Sequence, residues 1–298
     1  MEVNDMAEIK IHQDRKKGVA LALLAWVFFG LLQVVVALTP PAVGIMEQTF
    51  FRNLPMLIAV MVICRKNGIP MLGGKKEYYP HLLARAVCGF FAIIMSFYAN
   101  RHAVLADATI VFRLDMFTIT AVSAIVLNEK LGKVHILAMV MAFVGAFISA
   151  NPRFDSSFLP LLAAFGVALC DTVSYPIMSY LAGRVNSLCV LVWFCGFSMV
   201  GVMPFLVTDF VVPDLYGLIN LLLIGLFAGL GQSALTFSYR YAPAGELSIY
   251  SQLGILINAA LGYVFLNQVP AGRTVIGGSL VLLASVGLCM YKQRATGK

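Results

Sequence analysis

Charge is what this chain has least of. Of its 298 residues, 12% are charged and 60% hydrophobic, with a mean hydropathy of +0.89. A soluble domain carries about 25% charged residues, and so few charges cannot cover the surface of a soluble protein of this size. A soluble enzyme, a nucleic-acid binder and a disordered chain are excluded on that ground. Histidine is also scarce. His12, His81, His102 and His135 lie in the N-terminal tail or near the ends of apolar runs. H-E-x-x-H, G-x-S-x-G and C-x-x-C do not occur, so neither a hydrolytic nucleophile nor a metal site is signalled. The six cysteines (Cys64, Cys88, Cys170, Cys189, Cys195, Cys289) all lie within or at the ends of apolar runs, which speaks against a disulfide framework. The loop Gly68–Lys75 only brushes a P-loop pattern, because no Ser or Thr follows the lysine. No cofactor is called for.

Long apolar runs are what the chain has instead. Ten of them, each near the roughly 20 residues a spanning helix needs, fall at about 18–38, 43–64, 80–100, 104–127, 133–150, 158–181, 187–207, 214–239, 244–266 and 270–291. They lack the alternation of an outer-membrane barrel strand, and helices satisfy their own backbone in lipid. The expected fold is an all-α polytopic membrane protein of ten helices. Residues 1–17 form a polar tail, and the run from Gly18 is too long for a cleaved signal.

Lys and Arg orient it. With the N-terminus inside, the inner segments hold Lys10, Arg15, Lys16, Lys17, Arg65, Lys66, Lys75, Lys76, Lys130, Lys133, Arg184, Arg240, Lys292, Arg294 and Lys298, whereas the outer loops hold only Arg101, Arg153 and Arg273. Both termini are expected in the cytoplasm, with 292–298 as a C-terminal tail. The net charge of +7 then faces anionic lipid headgroups rather than nucleic acid.

The second half resembles the first at an offset of 139 residues. Arg101-His102-Ala103 falls on Arg240-Tyr241-Ala242, Asp107 on Glu246, Leu114 on Leu253, and Leu127-Asn128-Glu129 on Leu266-Asn267-Gln268. Units at 18–152 and 157–291, with five helices each, must lie in the membrane with opposite orientation. Secondary transporters commonly use this plan, with their site near the midplane.

Trp26-x-x-x-Gly30, Arg52, Arg85-x-x-x-Gly89, Phe97-Tyr98-Ala99, Leu105-Ala106-Asp107-Ala108-Thr109, Phe117-Thr118, Leu127-Asn128-Glu129-Lys130-Leu131 and Asn151-Pro152 resemble the drug/metabolite transporter superfamily in its EamA-type branch. The resemblance implies a secondary carrier with alternating access and a central cavity lined by helices 1, 3, 4, 6, 8 and 9, driven without ATP. A bacterial cytoplasmic membrane is the expected location. Asp115 and Gly254 stand where that family often has helix-kinking prolines.

Intramembrane charges cost roughly 2.5–3.5 kcal/mol each at a helix centre, and therefore point to function. At 1.5 Å per residue, Arg52, Arg113, Asp115 and Asp171 fall near the midplane, while Glu47 and Asp107 fall near the outer interface and Arg85 and Glu246 near the inner one. Arg113 and Asp115, two residues apart, are expected on different faces of one helix, with only one of them towards the cavity. Arg113 corresponds to Gln252 by the repeat. The expected substrate contacts are Arg113, Gln252, Tyr250, Asp115, Tyr175 and Trp26, with Arg113 offering a charged fork to a carboxylate or phosphate. In the competing reading, Arg113 only neutralises Asp115 or Asp171. Asp171, followed by Pro176, is the candidate proton-coupling carboxylate, and Arg52 is expected to form a structural ion pair. The expected substrate is a small zwitterionic or anionic metabolite. A channel and a membrane enzyme are the alternative classes, and small-residue rows at Gly225-x-x-x-Gly229 and Ala138-x-x-x-Ala142-x-x-x-Ala146 suit either bundle packing or a homodimer.

Overall fold

A computed structural model describes residues 14–40, 42–73, 75–102, 111–126, 132–150, 157–267 and 272–296. Asp107, the Leu127-Asn128-Glu129 segment and Gln268 lie outside them. Among the described residues there are eleven α-helices and no named strand. They are α1 (Arg15–Leu38), α2 (Ile45–Lys66), α3 (Tyr79–His102), α4 (Asp115–Val126), α5 (Lys133–Ala150) and α6 (Phe158–Leu181). α7 (Ser187–Asp209), α8 (Leu215–Ser238), α9 (Ala244–Tyr250), α10 (Gly254–Leu266) and α11 (Gly272–Thr296) follow.

The chain is an all-α polytopic membrane protein. Six described helical stretches are long and apolar enough to cross a membrane: Arg15–Leu38, Lys76–Ala99, Phe158–Leu181, Ser187–Val207, Leu215–Ser238 and Ala244–Leu266. α2, which carries Glu47, Arg52 and Asn53, is not among them. Outward faces are apolar: on α6, Leu162, Phe165, Leu169 and Val173 are exposed at three- and four-residue spacing. Such an apolar surface suits lipid and not water.

The internal repeat is visible in the element boundaries. Lys76, at the start of the 3₁₀ turn leading into α3, and Leu215 are 139 residues apart; so are Asp115 and Gly254, and Lys133 and Gly272. Arg15 and Phe158 are instead 143 apart, because the connection after α2 (67–75) is longer than the one after α7 (210–214). The packing also follows the repeat. α3 packs on α6 as α8 packs on α1, α3 on α7 as α8 on α2, and α4 on α6 as α10 on α1. α2 on α7 and α5 on α11 are contacts between counterparts, and α4 also packs on α9.

Close approach at these contacts relies on small residues. On α8, a Cβ at Gly225 would overlap Pro55 and the Phe51 carbonyl of α2, and one at Gly229 would lie 3.2 Å from Met56. Ala138, Ala142 and Ala146 are buried on α5. Both small-residue rows therefore pack inside the bundle. Gly145 of α5 and Gly277 of α11 face each other so closely that a Cβ on either would overlap the other's carbonyl oxygen. Gly277→Ala is expected to force the pair apart and destabilise the protein by about 1–3 kcal/mol, read as a lower thermal midpoint in detergent. Gly287→Ala, with open space at its Cβ, is the control.

Candidate functional site

A cavity of about 240 Å³ lies in the middle of the bundle. α1 supplies Trp26, Phe29 and Gln33, α2 supplies Arg52, and α3 supplies Arg85, Gly89 and Ser96. From the second half come Asp171 and Tyr175 of α6, Phe194 of α7 and Gln232 of α8. The start of α4 adds Phe112, Arg113 and Asp115.

Helical backbone at Val111–Phe112 is interrupted at Arg113–Leu114, just before α4. There the backbone makes three-residue hydrogen bonds, from Leu114 N–H to Val111 O and from Phe117 N–H to Leu114 O, each 3.1 Å. This corrects the expectation for Arg113 and Asp115. On a continuous helix they would face apart, but the turn between them brings both to the cavity wall. The equivalent interruption in the second half is the 3₁₀ turn Ser251–Leu253, between α9 and α10. Asp115 and Gly254 stand at the matching helix starts, so both breaks form without the prolines common in the family. The two breaks touch: Arg113 Nη1 donates to the Ser251 carbonyl at 3.5 Å. Thr120 and Ser248 share a hydroxyl bond of 3.2 Å beside them.

Gln252 and Tyr250 do not line the cavity. Gln252 has no exposed surface, and its amide turns back to the Ser248 carbonyl (3.5 Å) and the Ser251 hydroxyl (3.3 Å). Tyr250 is buried. Trp26 screens this helix from the cavity, since its ring lies over Gly254, 3.3 Å from where a Cβ would be. The wall expected from helix 9 is therefore supplied by α2 and α7.

Arg85 is the residue that depth counting misplaced. Its Cα is near one end of α3, but its guanidinium extends along the helix over Gly89 and lies 4.6 Å above the Phe194 ring. A Cβ on Gly89 would overlap Arg85 Nη1 and come within 2.7 Å of Phe194. The Arg85-x-x-x-Gly89 spacing carried this signal, because residues four apart stack on one helix face. Arg85 is 4% exposed, and its Nε and Nη1 have no hydrogen-bond partner among the described residues.

The five cavity charges are Arg52, Arg85, Arg113, Asp115 and Asp171. None is within salt-bridge distance of an opposite charge among the described residues, so the ion pair expected of Arg52 is not formed here. Asp115 Oδ1, Arg113 Nε and Trp26 Nε1 are also buried without a partner. Tyr175 stacks on Tyr239 at 5.9 Å beside Asp171, and the Thr172 and Thr118 hydroxyls join α6 to α4 at 2.5 Å. Among the described residues no group of histidine, cysteine and carboxylate side chains forms a metal site. Tyr175, Trp26, Arg113, Asp115, Asp171 and Arg52 are thus brought together.

Residues 16–151 and 158–290 each match the EamA-like transporter family. A pseudopaline exporter of Pseudomonas aeruginosa is 28% identical over 283 residues, which cover 93% of this chain and 98% of that protein. An uncharacterized transporter of Helicobacter pylori is 26% identical over 284 residues, 90% of this chain and 93% of that protein. A solved crystal structure shares the fold with a TM-score of 0.76 at 19% identity, covering 93% of this chain and 97% of that one.

Gly89→Ala is expected to push the Arg85 guanidinium off its seat while leaving the helix intact. Binding of a ligand that stabilises the wild-type protein should fall at least about tenfold, whereas the elution profile in detergent stays unchanged.

Proposed function

The chain belongs to the EamA-like transporter family, and from that premise we propose that it is a secondary carrier of a small zwitterionic or anionic metabolite, working by alternating access. The observation that carries this reading is the set of five charges around one central cavity, none of them closed into an ion pair among the described residues. Charges in a bundle core are costly unless something pairs with them, and a polar solute is the partner such a cavity is built to receive. Ten spans in two inverted five-helix units (18–152 and 157–291), with both termini in the cytoplasm of a bacterial cell, fit the positive-inside bias and the repeat boundaries. Inverted halves around a central site suit a carrier better than an open pore. The exporter matched over nearly its full length supports outward movement.

Arg113 holds both of its readings at once. It ties the two helix breaks together through Ser251 and still faces the cavity. Asp171 is the proposed proton carrier: it opens to the cavity, and Pro176 lies five residues beyond it on α6.

Saturable counterflow in proteoliposomes, using solutes that raise the thermal midpoint of the purified protein, tests the carrier reading. Stabilising solutes that give no counterflow overturn it. Asp171→Asn is expected to abolish flux driven by a pH gradient while counterflow at equal pH persists. Retained gradient-driven flux in that variant rules out the proton role.

A further inference from the structure

Resting on the carrier reading, we propose that the cavity recognises an amino-dicarboxylate: a solute with two acidic groups and one protonated nitrogen. The five charges are not equivalent. Arg113 is engaged at the helix break, donating to the Ser251 carbonyl with Asp115 two residues away on the same turn. These two opposite charges sit together and add no net charge. Arg52, Arg85 and Asp171 remain, on α2, α3 and α6, all lining the cavity. Arg85 is nine-tenths buried and directs Nε and Nη1 at no partner among the described residues.

Two guanidiniums and one carboxylate leave an excess of one positive charge in an apolar bundle. A guanidinium fork binds a carboxylate in two-point fashion, so each free arginine asks for one acidic group. Asp171 asks for a cation. A solute with two carboxylates and an ammonium satisfies all three and brings the site to neutrality. A simple amino acid zwitterion leaves one arginine unpaired and the site at plus one. A dicarboxylate without an amine leaves Asp171 unpaired and the site at minus one. An uncompensated charge in a low-dielectric site is penalised, so the two incomplete solutes are selected against. Gln33 of α1 and Gln232 of α8 add neutral amides to the cavity lining, suited to further hydrogen bonds with such a solute.

The test uses the full purified chain and a matched panel. L-aspartate, L-glutamate, 2-aminoadipate and 2-aminopimelate are compared with the diacids succinate, glutarate, adipate and pimelate. The zwitterions that lack only the side-chain carboxyl, alanine, 2-aminobutyrate, norvaline and norleucine, complete it. Thermal shift and proteoliposome counterflow are read for each. At least one amino-dicarboxylate is expected to stabilise the protein and drive counterflow, with about tenfold preference over its diacid and its zwitterion. Arg52→Gln and Arg85→Gln should each erase the preference over the zwitterion, and Asp171→Asn the preference over the diacid. Preference for a diacid or a zwitterion overturns the assignment, and so does the absence of any response to the four amino-dicarboxylates. Counterflow of some other solute would then leave the carrier reading standing without this class. Stabilisation by an amino-dicarboxylate without counterflow would do the reverse.

Discussion

A guanidinium held inside an apolar bundle must be solvated by something, and three of them share one cavity with two carboxylates here. The opposite charges stop short of closing on one another. Had they paired, the bundle would have been shut around one leftover cation, with no room for a solute. Because they stay apart, the surrounding helices must hold an open volume and keep five long or ionisable side chains from collapsing across it. Much of the packing does this holding. Phe194 lies under Arg85, Trp26 blocks retreat towards α10, and the hydroxyl link between Thr118 and Thr172 spaces α4 from α6. Glycine does the rest at Gly89, where the absence of a side chain lets a cation lie along its own helix.

The rest of the bundle answers to a different demand, close contact without a hydrophobic drive between helices. Lipid is as apolar as leucine, so helices in a membrane associate by fitting rather than by escaping solvent. Gly225 and Gly229 against α2, and Gly145 against Gly277, are solutions of that kind. A few buried polar groups add direction. Glu47 accepts from the Val211 N–H at 2.6 Å, fastening the connection after α7 to α2, and His135 meets the Gly245 carbonyl at 3.1 Å.

The transmembrane character and most helix ends were legible in the sequence because length and hydropathy decide them. The repeat was legible because polar positions kept their offset. The break at Arg113–Leu114 was not: neither proline nor glycine marks it, and it is the packing of α4 against α9 that accompanies it. Once a helix is interrupted, angular arguments across the interruption fail, which is why Arg113 and Asp115 share a wall. Arg85 was hidden for another reason. Depth counted along Cα atoms ignores a side chain long enough to carry its charge about one helical turn from its origin. Gln252 shows the converse, a residue at the symmetric position whose amide folds back on its own turn.

The packing of α2 on α7 and of α5 on α11 joins each element to its own counterpart. Those are the contacts of an isologous interface, the kind two identical five-helix subunits would make across a dyad. In such a dimer every residue near the axis meets its copy, and a carboxylate at the start of α4 would be opposed by another carboxylate at the start of α10. Fusion into a single chain removes that obligation. Gly254 can stand opposite Asp115 and Gln252 opposite Arg113, so polarity is concentrated on one wall while the other is left for an indole to cover. An asymmetric solute, with unequal numbers of acidic and basic groups, can have an asymmetric receptor only when the two halves are free to differ.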